Sequence, residues 1–166
     1  TVTTGNGNNH FEIDQVATAI LTAGNGNNRI DISSANSFDH DAPPFTPDYL
    51  SDITVVAGND KNIIHVEALA DGGSIDITVG NGGNQIVAAG GSVDITTAGA
   101  ASNTIYAYGE TVTIDNAASN GSTIVLGGAS RDFYQIRDEL GGNDPDGEQI
   151  ESAPDHRLDD GALLNV

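Results

Sequence analysis

The sequence has no cysteine, methionine or tryptophan, and only 5% of its residues are aromatic. Without cysteine, disulfide bonds and thiolate metal sites are impossible. Basic residues are also scarce: 5 lysines and arginines face 24 acidic residues, for a formal net charge of −19. This charge argues against binding to nucleic acid or an anionic membrane surface. No apolar run approaches the ~18 residues of a membrane-spanning helix, so membrane insertion is not expected.

Most of the 166 residues belong to an internal repeat, which is the first feature to seek in a chain of single-domain length. Each unit has a turn, mostly Gly-rich, that ends in an asparagine, followed at +2 and +4 by apolar residues. A sixth unit has Ser122 in the place of the asparagine. The repeated asparagines are Asn9, Asn28, Asn62, Asn84 and Asn103.

A second run of alternating apolar and polar residues precedes each turn, for example around Ile75 and Ile77 and around Val93 and Ile95. Alternation of β-branched residues at period two is typical of half-buried strands. One repeat therefore contains two strands and two turns. No stretch before residue 130 has the 3.6-residue period of an amphipathic helix.

Such a unit buries its apolar face only by stacking on its neighbours. The sequence therefore predicts an all-β fold: a parallel β-solenoid, or β-roll, of about six coils with roughly 18–22 residues per coil. At about 4.8 Å per coil, the rod would be about 29 Å long. An antiparallel β-sandwich is the alternative, but it does not require the same turn residue in the same register. The predicted interior column is Phe11, Ile30, Ile64, Ile86, Ile105 and Ile124.

The repeated asparagines are expected to be structural corners. Asparagine tolerates the left-handed backbone conformations of tight turns. In a parallel stack, its amide also donates to the asparagine of one coil and accepts from that of the next, which forms a ladder. A ligand role is the alternative interpretation.

The turns that begin at Gly5, Gly24 and Gly80 resemble the nonapeptide G-G-x-G-x-D-x-U-x of the repeats-in-toxin (RTX) secreted proteins. That family builds a parallel β-roll that holds calcium in its turns, so the resemblance implies an extracellular protein and Ca²⁺ as a cofactor. Two features depart from the pattern. The first glycine is Thr4, Ala23 or Val79, and asparagine replaces the sixth-position aspartate each time.

The change from aspartate to asparagine bears on calcium, which prefers six to eight oxygen ligands with carboxylates among them. An amide offers one neutral oxygen, so we expect a repeat body that does not depend on calcium. Segments 73–78 and 91–96 are also similar to curlin repeats of bacterial amyloid fibres, which stack Ser-x-Asp-x-Thr strands. The paired glutamine columns of curlin are missing, since Gln85 is isolated.

The predicted domain organisation is a repeat body over 1–130, interrupted by a loop at 33–52, and an acidic C-terminal cap or tail over 131–166. Three prolines exclude a central strand from the loop. The loop is expected to be solvated and packed on the rod, with a metal site or a partner contact as alternatives. Calcium is also a candidate for an acidic turn of the tail, although this turn fails the EF-hand pattern. The candidate metal ligands are Asp39, Asp41, Asp144, Asp146 and Glu148.

Catalytic motifs are not found: the sequence contains no nucleophile elbow, phosphate-binding loop or metalloprotease signature. We therefore expect an extracellular structural protein, not an enzyme, whose partner is a second copy stacked end to end in a filament, matrix or surface layer. The alternative is a calcium-responsive RTX-type module of a secreted adhesin, toxin or hydrolase. A polysaccharide-acting enzyme or binder is the third hypothesis, because Asp76 and Asp94 occupy equivalent outward strand positions.

Overall fold

A computed structural model describes residues 1–34, 51–68, 73–116, 119–127 and 162–165. The described residues form strands and turns and include no helix. They therefore contain no helix that is long and apolar enough to cross a membrane. The strands are β1 (Val2–Thr3), β2 (His10–Val16), β3 (Thr18–Ala23), β4 (Arg29–Ser34), β5 (Asp52–Ala57), β6 (Ile63–Ala68), β7 (Ser74–Val79), β8 (Gln85–Gly90), β9 (Ser92–Thr97), β10 (Thr104–Tyr108), β11 (Thr111–Asp115), β12 (Thr123–Gly127) and β13 (Ala162–Asn165).

The strands alternate between two sheets. Odd-numbered strands form a 7-stranded sheet in the order β1-β3-β5-β7-β9-β11-β13, and even-numbered strands form a 6-stranded sheet in the order β12-β10-β8-β6-β4-β2. Every pairing is parallel. Each coil therefore contributes one strand to each sheet. The prediction of a parallel β-solenoid is confirmed, and the antiparallel sandwich is wrong.

The register places equivalent residues of successive repeats directly over one another. Phe11 pairs with Ile30, and the column continues through Ile64, Ile86 and Ile105 to Ile124. Its four central members are at most 1% exposed, whereas the two end members are partly buried. The predicted interior column is thus confirmed.

The odd-numbered sheet supplies the opposite wall of the core. Leu21, Val55, Ile77, Ile95 and Ile114 occupy equivalent positions on consecutive strands, and each is 0% exposed. Burying one such side chain stabilises the fold by about 1.5–3 kcal/mol. No single coil has a core of its own, so stability comes from the stacking of neighbours.

Two segment boundaries differ from the prediction. Ser33 pairs with Glu67 inside the even-numbered sheet, and Asp52 pairs with Thr18 and Ser74 inside the odd-numbered sheet. Both ends of the predicted loop at 33–52 are therefore strand residues, whose polar side chains suit the outer faces of the sheets. In the predicted tail, β13 pairs with β11, so it belongs to a repeat sheet.

Candidate functional site: the asparagine corner

Each coil turns from an odd to an even strand through a corner with tight backbone packing. A Cβ atom at Gly24 would lie 2.7 Å from Oδ1 of Asn6, and one at Gly26 would overlap the carbonyl group of Gly7. Gly7 and Gly26 also have φ angles of 128° and 126°, which L side chains rarely adopt. The equivalent residue of the third coil is Asp60, which has a φ of 80°.

The last asparagine of each corner forms a ladder along the rod, through side chains that are at most 2% exposed from Asn28 to Asn103. Asn9 Nδ2 donates to Oδ1 of Asn28 at 2.8 Å, and Asn28 Nδ2 donates to Oδ1 of Asn62 at 2.9 Å. The next two steps run from Asn62 to Asn84 at 2.9 Å and from Asn84 to Asn103 at 3.0 Å. Each buried amide thus joins its own coil to both neighbours.

The same amide nitrogen also closes its own turn. Nδ2 of Asn62 lies 3.0 Å from the carbonyl oxygen of Gly58 and 3.1 Å from that of Asp60. Nδ2 of Asn28 contacts the carbonyl oxygens of Gly24 and Gly26, both at 3.0 Å. The inward carbonyl oxygens of these corners therefore already have hydrogen-bond donors.

A second asparagine column runs along the exposed side of the corner, with the opposite polarity. Oδ1 of Asn6, Asn25 and Asn59 each accepts the backbone N–H of the equivalent residue in the following coil, at 2.9, 2.8 and 2.9 Å. In the buried ladder, Oδ1 instead accepts from the preceding coil. The two columns together bond the corners in both directions along the rod.

The buried ladder changes at the sixth coil, where the corner residue is a serine. Backbone N–H of Asn103 donates to Oγ of Ser122 at 2.9 Å, while its Nδ2 donates to Oδ1 of Asn116 at 2.9 Å. Oγ1 of Thr97 also donates to Asn116, at 2.6 Å, and Asn116 is only 3% exposed. Asn116 therefore replaces the missing ladder asparagine as the acceptor.

The structure brings Asn9, Asn28, Asn62, Asn84 and Asn103 together in one ladder. The candidate metal ligands Asp39, Asp41, Asp144, Asp146 and Glu148 all lie outside the described residues. Within the described part of the chain, no group of three or more His, Asp or Glu side chains could hold a metal ion. Asp76 and Asp94 are exposed and pair in register on the outer face of the odd-numbered sheet.

Sequence reasoning missed a charged cluster on the outer face of the even-numbered sheet. Nδ1 of His65 lies 3.1 Å from Oδ1 of Asp31, and Nε2 lies 3.1 Å from Oε1 of Glu67. Burial lowers the pKa of His65, but the carboxylates of Glu67 and Asp31 outweigh it, so its pKa is raised. The signal was present, because Asp31 and His65 each stand three residues after a ladder asparagine.

Comparisons with known proteins add no family: no family model matches the chain, and no curated protein or solved structure matches it.

Proposed function

We propose that the chain is an extracellular structural protein that associates with further copies of itself, end to end, into a filament, matrix or surface layer. The described residues include a stacked core and hydrogen-bonded corners, and this architecture suits a mechanical role. The resemblance of three turns to RTX nonapeptides supports a secreted location.

The observation that carries this proposal is the uniform stacking of the coils, in which equivalent inward residues of successive repeats pair in parallel register. Val2 pairs in register with Leu21, so both residues stand in the same inward column. Leu21 is 0% exposed, whereas Val2 is 39% exposed, because no described strand covers β1 on its outer side. Wherever such a column and strand edge have no neighbouring coil, the addition of another strand is favoured.

The asparagine ladder supports the same interpretation. Oδ1 of each later ladder asparagine accepts a hydrogen bond from the preceding coil, but no described residue donates to Oδ1 of Asn9. A second copy seated on the first coil would supply backbone and side-chain donors at this edge. Pairing of β1 with β13 of the next copy would continue the odd-numbered sheet, since these strands are its two ends.

Charge opposes this association. The chain carries a net charge of −19, so two copies repel each other at low ionic strength. Salt shortens the distance over which surface charges act, to about 8 Å at physiological ionic strength. Assembly is therefore expected to increase with salt.

The calcium-responsive module remains the alternative. In the corners, amide nitrogens rather than a cation satisfy the inward carbonyl oxygens, as for Asn62 with Gly58 and Asp60. This arrangement favours a repeat body that folds without calcium. Acids outside the described residues, such as Asp144 and Asp146, are the remaining candidates for calcium.

Negative-stain electron microscopy with and without calcium, over a series of salt concentrations, tests the proposal. Val2→Glu places a charge in the inward apolar column at β1 and should abolish filaments. Val56→Glu is the matched control, because Val56 is the same residue type and also 39% exposed, but faces outward from β5. Equal loss of filaments in both variants, or wild-type filaments only with calcium, would contradict the proposal.

A further inference from the structure

His65 lies between two carboxylates on the outer face of the even-numbered sheet. Asp31 is on β4, in the coil before, and pairs in register with His65 on β6. Glu67 is on β6 itself, two residues further on, and is only 7% exposed. Each ring nitrogen lies 3.1 Å from one carboxylate oxygen.

This geometry constrains the protonation of the ring. A neutral imidazole has one N–H donor and one acceptor nitrogen, so it would turn a lone pair toward one of the two carboxylates. Only the imidazolium ion donates from both nitrogens. The contact of Nδ1 with Asp31 has hydrogen-bond geometry, and that of Nε2 with Glu67 is an ion-pair contact. Two carboxylates beside opposite ring nitrogens therefore match the charged form.

We propose that Asp31, His65 and Glu67 form a proton-operated clamp between the second and third coils, closed when His65 is an imidazolium and weakened when the ring loses its proton. We refer to these three residues as the His65 clamp. It is independent of the proposed self-association, because all three residues lie within one copy.

The charged groups on the neighbouring elements are of both signs, and the two that contact the ring, Asp31 and Glu67, are acidic. β4 contributes Arg29 and Asp31, β2 beyond it contributes Glu12 in register with Asp31, and the corner before β6 contributes Lys61. On the side of β6 away from β4, the β8 residues that pair with Ile63, His65 and Glu67 carry no titratable group. These three are Gln85, Val87 and Ala89.

The His65 clamp lies between the two coils that are separated by the insertion in the repeat. The step from Asn28 to Asn62 spans 34 residues, whereas the neighbouring ladder steps span 19 and 22. Closing a longer loop costs somewhat more conformational entropy, and an additional contact across this step offsets that cost. The His65 clamp supplies an ionic contact across this step, on the face opposite the core.

The direction of the pH effect follows from the raised pKa of His65. The clamp contributes its full stabilisation below the pKa of histidine in the unfolded chain, about 6.5. The contribution is lost as the pH rises through the higher pKa of the folded state. The second and third coils should therefore hold together most firmly in mildly acidic solution and loosen in alkaline solution.

Two measurements test the clamp. Long-range ¹H–¹⁵N spectra of the wild-type imidazole rings should show protons on both nitrogens of His65 at about pH 6.5. In Asp31→Asn and Glu67→Gln, the titration midpoint of His65 should be lower than in the wild-type chain. A neutral His65 ring at that pH, or an unchanged midpoint in both variants, would overturn the proposal.

The second measurement is the urea midpoint of unfolding between about pH 5.5 and about pH 8.5, the range in which histidine titrates. The midpoint of the wild-type chain should fall as the pH rises, and His65→Gln should remove most of this slope. His10→Gln is the control, because His10 lies on the outer face of the first coil, and it should keep the wild-type slope. An unchanged slope in His65→Gln would overturn the proposal.

Discussion

Nδ2 of Asn62 donates a hydrogen bond to Oδ1 of Asn84 in the next coil, at a distance of 2.9 Å, and both side chains are buried. The same nitrogen lies near the carbonyl oxygens of Gly58 and Asp60 in its own turn. One amide thus holds a turn closed and joins two coils, which makes the corner sensitive to small chemical changes at this position.

Removal of the Asn62 amide should be costly. Asn62→Ala removes the amide donor from the carbonyl oxygens of Gly58 and Asp60 and breaks the side-chain ladder on both sides, toward Asn28 and toward Asn84. We expect a loss of about 3 kcal/mol in the free energy of unfolding, measured by urea denaturation. Asn59→Ala is the control, since Asn59 is exposed and accepts one backbone hydrogen bond, and it should cost about 1 kcal/mol or less. Similar losses for the two variants would contradict a special role for the buried ladder.

Asn62→Asp should show why the ladder uses amides. At neutral pH, a carboxylate would face the carbonyl oxygens of Gly58 and Asp60 without a proton to donate. Its protonated form restores one donor, so burial should raise the pKa of the new carboxyl. The variant should therefore melt at a lower temperature than the wild-type chain, and this difference should be larger at about pH 7 than at about pH 4.5. A deficit that is the same at both pH values would contradict this explanation.

The backbone at Asp60 should be strained. Its φ of 80° falls in a region that glycine adopts readily but other residues do not, and the first two coils have Gly7 and Gly26 at this place. Asp60→Gly should raise the free energy of unfolding by about 1 kcal/mol, after allowance for the larger entropy of glycine in the unfolded chain. Asp60→Ala keeps a Cβ atom and should give no such gain. A gain in both variants would point to removal of the negative charge instead.

Calcium should have little effect on the stability of the repeat body, because amide nitrogens already satisfy the corner carbonyl oxygens. Thermal unfolding followed by circular dichroism, with millimolar calcium and then with excess chelator, checks this expectation. The two melting temperatures should agree within a few degrees. A loss of tens of degrees on chelation would favour the calcium-responsive module.

The repeat period and the core could be predicted from the sequence, because parallel stacking preserves register. Alternation at period two marks the inward residues, and the spacing of the asparagines predicts which coils meet, as for Ile30 over Ile64. The ends of the insertion could not be located in the same way. Ser33 and Asp52 are polar whether they lie in a loop or on the outer face of a strand, and only the pairing distinguishes the two.

The roles of Asn116 and His65 were harder to predict from the sequence. Asn116 takes over the ladder where the corner sequence degenerates, so no repeat position marks it in advance. The alternation of β6 places His65 on the outer face, but its contacts depend on side-chain directions that periodicity does not specify. Alignment of the repeats would have placed it beside Asp31, whereas the approach of Glu67 to the second ring nitrogen required the structure.

Sedimentation velocity on the 166-residue chain, over a series of protein and salt concentrations, tests the central proposal of end-to-end association most directly. We predict a sedimentation coefficient that increases with protein concentration and with ionic strength, as repulsion between acidic copies is screened. A single monomeric species at every protein and salt concentration would contradict the proposal.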